Sequence, residues 1–267
     1  MTHEELYFSG KALYGDDLDT AGLAQWYRDE ESGYYELAKS HRWAYDHHAL
    51  DVFHAFSRLP KQHYPVCLAL GCAEGDELES IAERVGRFIA LEPAEEFWRK
   101  TPIKQTPIAY LKPSAIGDIP LPAGTVDLAV CLSALHHVPN VSHVLSEIVR
   151  ALKPGGYMVL REPMCTMGDW RKARPGLTPN ERGFPQVWLQ SKLDNLGFRV
   201  VSRRFCCFAG TPAIARLFRI YSPYNSEIVV RFDWLLSGAF RWNLHYHRDR
   251  TYKKIAPNSI SYILQKK

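Results

Sequence analysis

The most constraining feature of the chain is the run Val66-Cys67-Leu68-Ala69-Leu70, closed by Gly71. A strand with one wet face alternates apolar and polar residues. Five apolar residues in succession fit a strand covered on both faces, as in a parallel sheet. The pattern recurs. Residues 74–85 predict a helix, Phe88-Ile89-Ala90-Leu91 a second buried strand, and residues 108–111 and 126–132 a third and a fourth. Val141, Val144, Leu145, Ile148, Val149 and Leu152 form one stripe of a helix that Asn140 is expected to cap. Lys153-Pro154-Gly155-Gly156 is expected to stop it before a fifth strand at 157–160. Pro185 opens a helix carrying Leu189, Leu193 and Leu196, closed by Gly197, and residues 198–207 and 260–264 predict the last strands. Such alternation predicts an α/β fold with a doubly wound, mostly parallel seven-stranded sheet. Residues 1–63 read as an N-terminal helical cap, with helices expected at 17–38 and 42–59. Residues 64–207 plus 258–267 read as the core, and 208–257 as a helical, aromatic insert serving as a substrate lid.

Composition narrows the class. Of 267 residues, 46% are apolar and 23% charged, which excludes collagen-like and disordered chains. No apolar stretch approaches the roughly 18 residues of a membrane span. Met1-Thr2-His3-Glu4-Glu5 is acidic where an export signal needs basic then apolar residues, so a soluble, cytoplasmic protein is expected. Cys67, Cys72, Cys131, Cys165, Cys206 and Cys207 show no Cys-x-x-Cys spacing, favouring reduced thiols over disulfides or zinc. Residues 197–267 hold 13 Lys and Arg against 3 Asp and Glu, whereas the remainder is net acidic. That asymmetry points to an anionic partner or to a basic solvated face.

Ligands of doubly wound sheets bind beyond the carboxyl ends of the strands, at the switch point. A cofactor is therefore expected at residues 71–75, at Glu92, and after Leu111 and Leu132. A dinucleotide fingerprint fails twice here, because its third and sixth positions hold Ala73 and Asp76. Glu74, Asp76 and Glu77 would repel a pyrophosphate. Glu92, 21 residues after Gly71, suits two ribose hydroxyls. A phosphate-free, cationic, ribose-bearing cofactor meets all of this, and S-adenosyl-L-methionine is the candidate.

The series Leu70-Gly71-Cys72-Ala73-Glu74-Gly75, Leu91-Glu92-Pro93, Asp118-Ile119-Pro120-Leu121-Pro122, Val126-Asp127-Leu128-Ala129-Val130, Ala134-Leu135-His136-His137-Val138 and Leu152-Lys153-Pro154-Gly155-Gly156 resembles the class I S-adenosylmethionine-dependent methyltransferases of the type 11 group. The resemblance spans residues 64–207 plus the last strand and implies a Rossmann-like fold. Leu160-Arg161-Glu162-Pro163, Met167-Gly168-Asp169-Trp170-Arg171, Gly176-Leu177-Thr178 and Glu181-Arg182-Gly183 are similar to bacterial relatives, with an implied link to glycan modification. It implies cofactor contacts at Gly71, Cys72, Ala73, Gly75, Glu92, Pro93, Ser114, Ala115, Ile116 and Leu132, with Tyr34 and Arg42 from the cap at the methionine end. Three positions depart from the family. Ala69 replaces an acid, Ala73 replaces the middle glycine, and Ala115 replaces the acid that holds the adenine amino group. Alanine at the glycine position costs little if φ stays negative.

Methyl transfer to a hydroxyl calls for alignment and a base near pKa 7. His136 and His137 follow the fourth strand and are the candidate bases, with Asp169 as the alternative; loop shaping is the competing role. Glu162, Trp170, Arg171, Arg174 and Arg182 lie in the connection after the fifth strand. Arginine forks there fit an anionic acceptor, or equally a loop laced by its own ion pairs. Trp26, Tyr27, Tyr35, Trp43 and Tyr45 would pack the cap, and His47-His48 lacks the spacing of a metal site. Residues 211–242 mix aromatics with Arg216, Arg219, Arg231 and Arg241, fitting a core, a sugar-stacking lid or peripheral membrane contact. No recognition motif for nucleic acid accompanies the basic charge. The leading reading is O-methylation of a small or glycan-type anionic acceptor. An RNA or protein methyltransferase, and a binding or scaffold protein that retains the fold, are the alternatives.

Overall fold

A computed structural model describes residues 2–40 and 45–267, with side chains described for 2–33 and 45–267. Arg42 and the side chain of Tyr34, both expected at the cofactor, lie outside the described residues. Seven strands, β1 (Tyr64–Leu70), β2 (Val85–Leu91), β3 (Ile108–Leu111), β4 (Val126–Leu132), β5 (Leu152–Pro163), β6 (Phe198–Phe208) and β7 (Pro257–Lys266), form one sheet. Their order is β3-β2-β1-β4-β5-β7-β6, with β7 antiparallel to both neighbours and the other pairs parallel. The helices are α1 (His3–Phe8), α2 (Thr20–Ser40), α3 (His48–His54), α4 (Val141–Ala151), α5 (Gln186–Asn195), α6 (Thr211–Leu217) and α7 (Glu227–Ala239).

β1 is central, and its run is covered on both faces. Leu68 and Leu70 join a core with α4 and α5, while Cys67 and Ala69 join a second core on the opposite face. The six cysteines are free thiols, four of them buried.

Local corrections have physical causes. Residues 74–85 form only two short 3-10 turns, Asp76–Leu78 and Ala82–Arg84. Leu78, Ile81 and Ala82 supply one turn's worth of buried contact, too little to support a full helix. Asn140 does not cap α4. It is left-handed at φ +41°, and its amide donates to the Ile116 carbonyl instead. Asp16 satisfies that helix end, accepting from the backbone N–H and hydroxyl of Ser142 at 2.7 and 2.6 Å. Lys153-Pro154-Gly155-Gly156 is part of β5, absorbed by a register shift against β4 between Val126 and Leu128. Of the helix expected over 42–59, residues 42–44 lie outside the described residues and the rest holds α3 and the short turn Phe56–Arg58.

Candidate functional site

A cavity of about 190 Å³ opens where the carboxyl ends of β1, β2 and β4 face α2. Leu70, Gly71, Leu91, Glu92, Pro93, Ser133 and Ala134 form its sheet wall, and Tyr27, Glu30 and Glu31 of α2 form the other. Ile119, Leu135, Val138 and Val144 supply apolar lining, and among the described residues no Lys or Arg lines it. Gly71 is left-handed at φ +58°, and a Cβ there would lie 2.7 Å from the Ala134 Cβ. Glu92, only 5% exposed, accepts from the backbone N–H of Ala73 at 2.9 Å and of Ala94 at 3.1 Å. Burial raises its pKa, partly offset by those two donors. One bond to each oxygen leaves acceptor capacity for a diol.

The loop departs from the sequence expectation at Ala73, which adopts φ +46°. The condition under which alanine costs little there is not met, and the left-handed backbone carries strain of about 1–2 kcal/mol. Cys72 is buried, and Gly75 turns the chain at φ +80° without lining the cavity. Leu132 is buried at the end of β4, just behind the lining Ser133. Pro113 and Gly117 reach the cavity, whereas Ser114, Ala115 and Ile116 do not line it. The Ser114 hydroxyl accepts from the Asp118 N–H within its own loop, and Ile116 is exposed.

The two histidines have different environments. His136 is buried, with Nδ1 2.8 Å from Glu162 and Nε2 3.5 Å from Glu181. Burial alone would lower its pKa. The two carboxylates outweigh this and push it up to about 9, so it is an imidazolium at neutral pH and cannot serve as a base. Burial would likewise raise Glu181, but the histidines hold it down to about 2. Glu162, fully buried, also accepts from the N–H groups of Ala134 and Leu135, so it shapes the turn after β4 and cannot meet substrate. His137 lines the cavity. Its Nδ1 lies 2.8 Å from Glu30 and 3.1 Å from the Thr178 hydroxyl, and its carbonyl accepts from the Trp26 indole. A carboxylate on one imidazole nitrogen fixes the ring's tautomer and orientation. His136, His137 and Glu181 offer ligand atoms within 4.8 Å of one another.

A family model described as methyltransferase domain matches residues 68–160, from within β1 into β5. Residues 68–160 thus carry a methyltransferase domain. A protein of Mycolicibacterium smegmatis named "probable S-adenosylmethionine-dependent methyltransferase" is 28% identical over 182 residues, covering 67% of this chain and 62% of that one. Squalene methyltransferase 2 of Botryococcus braunii is 26% identical over 155 residues, covering 51% and 40%. A 37.1 kDa protein in transposon Tn4556 of Streptomyces fradiae is 33% identical over 110 residues, covering 39% and 30%. The matches thus span less than two thirds of each relative. Among solved structures, an S-adenosylmethionine-dependent methyltransferase from Archaeoglobus fulgidus aligns with a TM-score of 0.55 at 20% identity, covering 87% of this chain and 99% of that one. The [4+2]-cyclase SpnF aligns with a TM-score of 0.56 at 14% identity, covering 93% and 97%. At these identities the likeness is one of fold, and one fold hosts unrelated chemistries.

The residues of this domain fit the family's cofactor in charge and chemistry. Glu92 stands ready for a ribose diol, the walls are apolar for a base, and Glu30 and Glu31 suit a cation. About 190 Å³ is below the roughly 300–1,000 Å³ of ligand-sized pockets.

The connection after β5 corrects the expected acceptor site. Arg182 is fully buried and donates to the carbonyls of Tyr14, Leu135, His136 and Val138. Arg174 donates to the carbonyls of Met167, Thr178, Pro179 and Glu181. Trp170 is stacked between Phe8 and Tyr14. Arg171 is exposed but pairs with Asp169 and Glu4, and it holds the Asp169 carboxyl at about 2, too low for a base. None of these residues lines the cavity, and neither does any residue of 208–257. Glu30 and Thr178 were not legible as site residues. The signal available was an acid on the cap helix, obscured by its aromatic neighbours.

Proposed function

We propose that the protein transfers the methyl group of S-adenosyl-L-methionine to the oxygen of a small acceptor, with His137 as general base. The observation that carries this reading is the His137–Glu30 pair at a cavity that also presents Glu92. When bound, the cofactor supplies an electrophilic methyl on a sulfonium. Glu92 and the apolar wall would hold its nucleoside, and Glu30 and Glu31 would favour its positive end. His137 takes the acceptor proton, and Glu30 stabilises the imidazolium so formed. The acidic lining disfavours an anionic acceptor, and the arginines that suggested one are engaged with backbone carbonyls or carboxylates. A glycan acceptor has no identified contact. The apolar lining and the partial likeness to squalene methyltransferases support a second reading, in which the acceptor is apolar and methylated at carbon.

The test is transfer of isotope-labelled methyl into fractionated extracts of small metabolites. Once an acceptor is found, His137→Ala should lower kcat roughly 10²–10⁴-fold while leaving cofactor affinity unchanged, and Glu30→Gln should lower both kcat and cofactor affinity. Full activity in both variants would remove the base and favour the carbon acceptor. Cofactor binding without label transfer to any fraction would favour a binding or scaffold role.

A further inference from the structure

The helix α7 is built inside out. A surface helix ordinarily turns apolar residues inward and polar ones to water. Here Asp233 and Ser237 are buried beside Val229 and Val230, while Ile228, Phe232 and Leu235 face solvent along one stripe. The inward turn of Asp233 is fixed by function within the fold. Its carboxylate accepts from the backbone N–H of Cys207 and Phe208 and from the Thr211 hydroxyl, tying the helix to the end of β6. Ile228 is 81% exposed, Leu235 61%, and Trp242 just beyond the helix 77%. Ten of the fourteen large hydrophobic residues exposed in the described structure fall between Leu217 and Ile255. Contiguous exposed apolar surface of this kind marks a contact with something else.

Charge selects the occupant. Arg216, Arg219, Arg231 and Arg241 are exposed across residues 211–242, and Glu227, paired with Arg231, is the sole exposed acid there. A second copy would bring the same cations face to face. Aromatic rings beside arginines instead match the boundary of an anionic bilayer, where rings sit at headgroup level and guanidinium groups meet lipid phosphate. No described helix is long and apolar enough to cross a membrane, so such a surface lies on the bilayer rather than within it.

We propose that residues 211–242 form a docking surface for an anionic lipid bilayer, with Ile228, Phe232 and Leu235 inserted and the exposed arginines on headgroups. The proposal concerns binding alone and stands whichever acceptor is used at the cavity. The experiment is co-sedimentation of the full chain with vesicles of phosphatidylcholine alone or mixed with phosphatidylglycerol, at low and high salt. The expected result is binding to the mixed vesicles only, weakened by salt. Phe232→Ser with Leu235→Ser, and separately Arg216→Glu with Arg219→Glu, should each weaken it by roughly tenfold or more. These side chains are exposed, so both variants should keep the wild-type unfolding transition. Failure of the folded wild-type chain to bind, or equal binding by both variants, would overturn the proposal. So would a dimer in solution that dissociates on Phe232→Ser with Leu235→Ser.

Discussion

The two sides of the cavity obey different rules. On the sheet side, parallel register does the placing: Ala69 stands opposite Ala90 in β2 and Val130 in β4, so these strands end level. Whatever follows them, Gly71, Glu92 or Ser133, is delivered to one edge. On the other side, α2 meets the connection from Pro163 to Pro185, and no such register exists. There the charged residues turn back on the protein, Arg182 and Arg174 to backbone carbonyls and His136 to two carboxylates. A buried polar group must be paired, and an irregular connection has many unpaired carbonyls to satisfy. Charge in a strand-end loop therefore speaks of function more readily than charge in a long irregular one.

Arg182→Ala is the largest test of that contrast. It removes a buried guanidinium that donates to four carbonyls, of which those of Leu135 and His136 keep a backbone donor, and should destabilise the fold by about 3–5 kcal/mol, read as a lower urea midpoint. A weaker acceptor KM with unchanged stability would return Arg182 to the substrate. His136 comes next. Its pKa is raised to about 9 in the folded protein against about 6.5 for an unperturbed histidine, so its contribution is complete below about pH 6.5 and is lost as pH rises through 9. Stability should fall by about 3 kcal/mol over that window, and His136→Gln should flatten the slope. A pH-independent midpoint for the wild-type protein would contradict the imidazolium. The smallest effect belongs to the sheet side. Ala73→Gly relieves the left-handed strain at φ +46° but frees the unfolded chain, leaving a net gain of about 0.5–1 kcal/mol in thermal unfolding. A loss of stability would show that the alanine methyl is packed to advantage.

What the sequence makes legible follows the same division. The buried run at residues 66–70, the glycine turn and Glu92 are readable because strand pattern and chain order alone place them at the switch point. The insert 208–257 is readable as helical and aromatic, but α7 packs beside α3 and β6, where its composition alone does not put it. The roles of His136 and His137 are not readable, since adjacent identical residues point to different neighbours once the turn is made. Glu30 and Glu181, far apart in sequence, give the two rings their different partners. Asp16 at the start of α4 escapes for the same reason: the capping group comes from a remote loop rather than from Asn140.

The central claim, a nucleoside cofactor held by Glu92 at the edge of β2, is tested most directly by calorimetric titration. S-adenosyl-L-methionine is added to the protein and to Glu92→Ala, with the fold of each checked by its unfolding transition. The account predicts a Kd on the order of micromolar for the wild-type chain, weakened roughly tenfold or more when the carboxylate is removed. A folded wild-type protein that takes no cofactor, or a Glu92→Ala variant that binds it equally well, would contradict the account.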